Sequence, residues 1–338
     1  MNAILTKLIA SILSAPHSLK QERKNIMKQR ATVFAFFVLV AIGAAGRSAE
    51  AANLTVNCDK KETIRESLKL LAVAHPQGPN TLFVVGSCSE NILIQSGDRL
   101  TLIAKNGASI TDRSNGSLAV VDIEDSHSVT LQGFTINGGS AGVSCGASSV
   151  CYMTSNTVQD SAGVGVSVFA SSHAFLESNV IQNNAFHGST VDSAAQLFSS
   201  NDIFQSNGAQ GVSVRPGAYF QASNSSFLNN DVGIRAGLAT LLLNSVTITG
   251  SVGNGVTLLG GAAATFAGST SITGNGGSGV YLEDGAFAGF ISANITGNLS
   301  GTDIVCAPQF PITHFVERTG GITNCVENVS SALRENKK

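Results

Sequence analysis

Two arginines stand alone in the middle of this chain. Between Ser114 and Val316 there is no Lys, and the only Arg residues are Arg215 and Arg235. A guanidinium presents a fixed fork of donors that matches a carboxylate or a sulfate. Asp192 lies 23 residues before Arg215. His187 and Asp231 stand close by in sequence, and Tyr281 and Glu283 follow further along. These residue types bind sugar hydroxyls and carboxylates, and acid/base cleavage of a glycosidic bond needs at least a positioned pair of them. The catalytic candidates are therefore His187, Asp192, Arg215, Asp231 and Arg235, and the ligand-binding candidates are Arg215, Arg235, Tyr281 and Glu283. An exposed Asp192–Arg215 contact is equally an ordinary surface ion pair, worth ~0–1 kcal/mol. Asp122 and Glu124 are the calcium candidates, although two carboxylates supply few of the oxygens that calcium takes. No other metal or cofactor is suggested.

The elements that must position these residues follow from a repeat. Gly142-Val-Ser-Cys145, Gly165-Val-Ser-Val168, Gly188-Ser-Thr-Val191, Gly211-Val-Ser-Val214, Gly233-Ile-Arg-Ala236, Gly255-Val-Thr-Leu258 and Gly279-Val-Tyr-Leu282 recur at spacings of 22–24 residues. A second apolar ladder runs between them, through Ile136, Val158, Ile181, Ile203, Phe227, Ile248, Ile272 and Ile295, with Asn residues beside it. Each apolar stretch is too short for a helix. Gly and Asn punctuate at fixed offsets, as turns through positive φ require. A period near 23 leaves room for two or three short strands per coil, and stacked coils place equivalent strands side by side in parallel sheets. Side chains alternate across a strand. The Val positions of Gly-Val-x-Val face inward, and the x positions face out. Arg215, Arg235, Asp192, Tyr281, Glu283, Asp122 and Glu124 all fall on that outer face, with His187 and Asp231 at its edge.

This pattern resembles the pectin-lyase-like superfamily of right-handed parallel β-helix proteins, over roughly Thr81 to Cys306. The resemblance implies an all-β, single-stranded solenoid, a fold that carries many activities. His187-Gly188 is similar to a His-Gly pair of polygalacturonases, but the companion Asp motifs of that family are absent. Pectate lyases use clustered calcium-binding carboxylates with an Arg base, and no such set is recognisable. Coil lengths that stay within 22–24 residues from Gly142 to Gly279 also leave no inserted loops to wall a cleft.

The ends read differently. Lys28 and Arg30 precede an apolar run from Ala31 to Ala45, and Ala49-Glu50-Ala51 follows, the layout of a secretory signal peptide; the minority alternative is a membrane anchor through 31–45. Met27 opens that signal and is the expected start of translation. Removal of residues 1–51 leaves 13 basic and 20 acidic residues, a formal net charge of −7, which argues against nucleic acid or anionic membrane as partner. Residues 52–80 hold a strand and an amphipathic capping helix, Thr63 to Ala74, with Ile64, Leu68 and Leu71 on one face. Coils fill 81–306. A C-terminal cap and tail fill 307–338, with Pro308 and Pro311 breaking strand pairing. Six cysteines in an exported chain suggest disulfides, and nearest-neighbour pairing gives Cys58–Cys88, Cys145–Cys151 and Cys306–Cys325. Destination is the periplasm or the exterior of a bacterium. Two functions are compatible with these residues. One is a non-catalytic surface, matrix or glycan-binding module. The alternative is a polysaccharide lyase or glycoside hydrolase acting on an acidic polysaccharide.

Overall fold

A computed structural model describes residues 51–74, 77–307, 314–315 and 323–325. The signal-like segment through Glu50 and most of the cap after Ala307, including Pro308 and Pro311, lie outside the described residues. Among the described residues no helix is long and apolar enough to cross a membrane.

Each coil contributes three short strands, and equivalent strands stack in three parallel ladders. The first ladder is a ten-stranded sheet that runs from Ile92–Gln95 to Ile304–Cys306 and contains every Gly-Val-x-Val segment. The second ladder contains Val150–Thr154, His173–Glu177, Gln196–Ser200 and Tyr219–Ser223. The third contains Thr157–Gln159, Val180–Gln182, Ile203–Gln205 and Ser226–Leu228. The second and third join in one 20-stranded sheet. They join because Asn80–Ser89 and Asp98–Thr111 run through the bend between them and pair on both sides of it.

The interior is a set of stacked apolar columns. Val143, Val166, Val212, Ile234, Val256 and Val280 align in one column of the first ladder and are fully buried. Ser189 interrupts it, and its buried hydroxyl has no hydrogen-bond partner. In the third ladder the inward residue of the coil at 203–205 is Phe204, not Ile203. Phe204 aligns with Ile181 and stacks on Phe227 at 5.0 Å between ring centroids. The apolar pair Ile203-Phe204 offers two registers, and ring-on-ring packing inside selects the second.

The ladder glycines also differ from the sequence expectation. Gly165, Gly188, Gly211, Gly233 and Gly255 do not have positive φ. They are needed for close approach: a Cβ on Gly211 would lie 2.6 Å from the carbonyl oxygen of Gly233 and 3.0 Å from the side-chain nitrogen of Asn230. Positive φ falls instead on the residue before the buried asparagines, as at Asn183 and Asn229. The buried asparagines satisfy the backbone where each coil turns. Asn184 Oδ1 accepts from the Ser161 amide, Asn207 Oδ1 from that of Asn184, and Asn230 Oδ1 from that of Asn207, at 3.0–3.2 Å. A second such ladder runs Asn156, Asn179 and Asp202, where burial pushes the Asp202 carboxyl above its ordinary value.

Helix α1, Ile64–Ala74, packs its Ile64 and Leu71 side chains into the core at the N-terminal end. The buried Glu90 carboxylate accepts from the amides of Ile64 (2.8 Å) and Arg65 (3.2 Å), where the helix dipole favours an anion. Disulfides join Cys58 to Cys88, Cys145 to Cys151 and Cys306 to Cys325. The second of these bridges the turn between first and second ladders.

Candidate functional site

The outer face of the first ladder carries two register columns. One runs Ser167, Thr190, Ser213, Arg235, Thr257 and Tyr281, with Asp122 and Ser144 on earlier coils. The other lies two residues further along each strand and includes Asp192, Arg215, Gly237, Leu259 and Glu283. Arg215 and Arg235 therefore sit on successive coils in neighbouring columns, and both are exposed. Arg215 donates from Nη1 to Asp192 Oδ2 at 3.2 Å across one rung.

Beside the arginines is a shallow depression of about 240 Å³ lined by His187, Gln210, Ser213, Arg215, Arg235 and Leu259. His187 is half-buried there, and the ring of the exposed Phe186 stands edge-on to it at 5.7 Å. Burial first, then the positive charges of Arg215 and Arg235, lower the His187 pKa below its ordinary value. The imidazole is thus neutral at neutral pH. Its Nδ1 accepts from the Gln210 amide at 3.3 Å, which places the hydrogen on Nε2 and makes that nitrogen a donor. Two guanidinium groups, one of them paired with Asp192, and a neutral N–H donor stand together on a chain of net negative charge.

Other sequence-selected residues are not brought into this depression. Asp231 is exposed and does not line it. Tyr281 stands two rungs beyond Arg235, with Thr257 between, and Glu283 lies beyond Tyr281 in the second column. Asp122 and Glu124 are on the same face several coils away. Among the described residues the metal-type cluster is Cys58, Cys88 and Glu90, whose thiols are spent in a disulfide. Asp122 and Glu124 belong to no such cluster among the described residues.

Asp122 instead lines a larger groove, about 830 Å³, at the N-terminal end of the same face. One wall is α1, with Arg65, Leu68, Lys69 and Ala72; the floor is Ile92–Gln95; Leu118 and Ala119 form the other wall. That wall exists because the coil from Ile92 to Val121 is 29 residues long. Asp112 organises the extra turn. Its carboxylate accepts from the Ser114 amide (2.8 Å) and hydroxyl (2.6 Å), the Gly116 amide (2.6 Å) and the Asn91 side chain (2.7 Å). Burial raises its pKa, but these bonds together outweigh burial and hold it well below the usual carboxylate range. The longer coil precedes the regular array, which is why its effect is hard to foresee from the period.

The chain matches the family model for a right handed beta helix region over residues 87–240. The structure resembles the Azotobacter vinelandii mannuronan C-5 epimerase AlgE4 A-module, with TM-score 0.59 and 15% identity, covering 77% of this chain and 87% of that one. The chain folds as a right-handed parallel β-helix. Pectate lyase Pel9A gives TM-score 0.58 at 11% identity over 75% of this chain and 79% of that chain. Full-length tailspike protein 2 of the Escherichia coli O157:H7 bacteriophage CAB120 gives 0.56 at 10% identity, over 70% of this chain and 38% of that one. No curated protein matches in sequence. At these identities the likeness is one of fold.

Proposed function

We propose that this β-helix is an exported, carbohydrate-active protein that takes an acidic polysaccharide across Arg215 and Arg235, as a lyase or a glycoside hydrolase. The observation that carries the reading is the pair of guanidinium groups on successive coils, beside a neutral imidazole, on the outer face of the first ladder. A uronate carboxylate is the natural partner of each fork. The fold neighbours support the reading, since their names are those of a mannuronan epimerase and a pectate lyase. The three disulfides suit an oxidising compartment.

The chain's own groups divide the work. Arg215 and Arg235 bind and orient the carboxylate. His187 donates from Nε2 to a ligand oxygen and does not act as the base while Gln210 holds Nδ1. Asp192, which Arg215 engages in the free protein, is released when the ligand takes that guanidinium, and it is then the carboxylate placed to accept a proton. In elimination the proton leaves carbon 5 for Asp192, a double bond forms between carbons 4 and 5 as the bond from carbon 4 to the glycosidic oxygen breaks, and the departing oxygen takes a proton from solvent water, which leaves an unsaturated uronate and a new hydroxyl end.

One observation favours a second reading. The depression is open and shallow, and an open face excludes water poorly, as in a module that binds glycan without cleaving it. Incubation with a panel of polyuronates and sulfated glycans separates the two. Release of unsaturated or reducing ends, lost in Asp192→Asn, supports the enzyme. Binding without product, lost in Arg215→Ala/Arg235→Ala, supports the module. Neither binding nor product removes both.

A further inference from the structure

The second ladder carries a surface feature unconnected with the arginines. Tyr152, Phe175 and Phe198 occupy one outward register column on three successive coils. Their rings stack at 5.1 and 4.9 Å between centroids, with interplanar angles of 14° and 7°. Tyr219 leans on Phe198 from the next coil at 5.8 Å, and its hydroxyl is 3.0 Å from Gln221 Oε1. Two residues along, Thr154, Glu177, Ser200 and Ser223 form a parallel polar column. Between the columns lies a groove of about 380 Å³. Tyr152 and Phe175 remain 37% and 36% exposed.

Stacking offsets part of the cost of exposing these rings. It does not explain why the rings stand outside at all, in a column otherwise filled by Thr130, Gln221 and Leu242. We infer that this groove is a binding site for a neutral glycan chain lying along the solenoid axis. The chemistry fits on three counts. The stacked rings present their edges as an apolar strip one side chain wide, flanked by hydroxyl, amide and carboxylate groups, so a pyranose chain can lay its C–H surface on the strip while its hydroxyls reach the polar column. The rings repeat once per coil, so successive sugars of an extended chain meet equivalent surroundings. The only charged group lining the groove is Glu177, which repels polyuronates and accepts hydroxyl hydrogens. A second protein is a poorer occupant. Rings about one-third exposed offer an apolar area on the order of 200 Å², against about 800 Å² per partner in a standard interface.

This site is independent of the proposed acidic-polysaccharide face, and the test keeps the two apart. Titration calorimetry of the full chain uses neutral hexasaccharides of β-1,4-, β-1,3- and α-1,4-linked glucose and, in parallel, a hexagalacturonate. The expected result is binding of at least one neutral hexasaccharide, weakened at least tenfold in Tyr152→Ala/Phe175→Ala. The galacturonate response of that variant is unchanged. Ser200→Trp fills the groove while keeping every ring, and it gives the same loss even if the ring deletion compromises folding. Three results overturn the inference: no neutral hexasaccharide binds the wild-type chain; the groove variants bind as wild type; or wild type sediments as a dimer that Tyr152→Ala/Phe175→Ala dissociates, which assigns the strip to a second copy.

Discussion

At its N-terminal end the outer face of the first ladder lies in a groove of about 830 Å³, walled on one side by α1 and on the other by the turn at Leu118. Several coils on, the same face holds a much smaller depression of about 240 Å³. The walled region is lined by Leu68, Leu71, Leu93, Leu100 and Leu118 and by charges of both signs, Arg65, Lys69, Asp98 and Asp122, whereas the charged groups lining the other are the cations Arg215 and Arg235, beside His187. The two were built by different means. Walls come from a change in coil length, 29 residues between Ile92 and Val121 against 22–24 in the array. Charge comes from substitution at outward positions, which a uniform coil tolerates because only the inward columns are packed. In this β-helix the larger groove carries charges of both signs, and a lining of cations alone is found further along the same face. A long polymer held by its carboxylates needs the second more than the first.

The sharpest way to break the comparison is to attack the rung beneath the charged region. Gly211→Val drives a side chain into the Gly233 carbonyl and the Asn230 amide, with an expected cost above about 3 kcal/mol. Gly237→Val, on the same face with nothing within 4 Å of its Cβ, is expected within about 0.5 kcal/mol of wild type. Denaturant melts of both variants check this. If both are neutral, close packing of the coils is not what fixes the array.

In the walled region Asp112→Ala removes four hydrogen bonds to a carboxylate, for an expected loss of about 2 kcal/mol. Because the folded pKa of Asp112 is depressed, the wild-type advantage is fully present above its unfolded value, about pH 4. It is lost as pH falls through the folded value. Melting curves of both proteins are expected to keep much of their separation between pH 7 and pH 3, because the folded carboxyl stays ionised at pH 3, and to approach one another only at more acidic pH.

In the open region Arg215→Ala and Arg235→Ala are expected to change stability by less than about 1 kcal/mol, since Arg215 is in an exposed pair. Each is expected to weaken uronate oligomer binding about tenfold, with wild-type affinity falling as salt is added. Binding isotherms at two ionic strengths measure both effects.

The coils were legible because a 22–24-residue period writes itself into Gly, Val and Ile positions. What escaped has identifiable causes. Ile203 and Phe204 are both apolar, and only the stack on Phe227 chooses between them. The ladder glycines answer to a neighbouring coil, so their role is invisible in local turn chemistry. Arg215 beside Asp192 followed from the register, but the partner of His187 did not, since Gln210 is one coil away. The walled groove depends on how α1 packs on the first coils, which periodicity does not contain. The aromatic column did leave a signal: Tyr152, Phe175 and Phe198 recur at 23 residues, on a strand that the two-ladder reading had not separated from its neighbours.

His187 reports on the central claim, that the Arg215–Arg235 face engages an anionic glycan. Its pKa is lowered by burial and by both arginines, so a bound carboxylate that neutralises them must raise it. Nuclear magnetic resonance titration of the His187 ring, with and without saturating hexagalacturonate, is the direct measurement. The expected result is a pKa below the usual histidine value in the free protein, shifted upward by the ligand and, without ligand, by Arg235→Ala. An identical His187 titration curve with and without hexagalacturonate contradicts the claim.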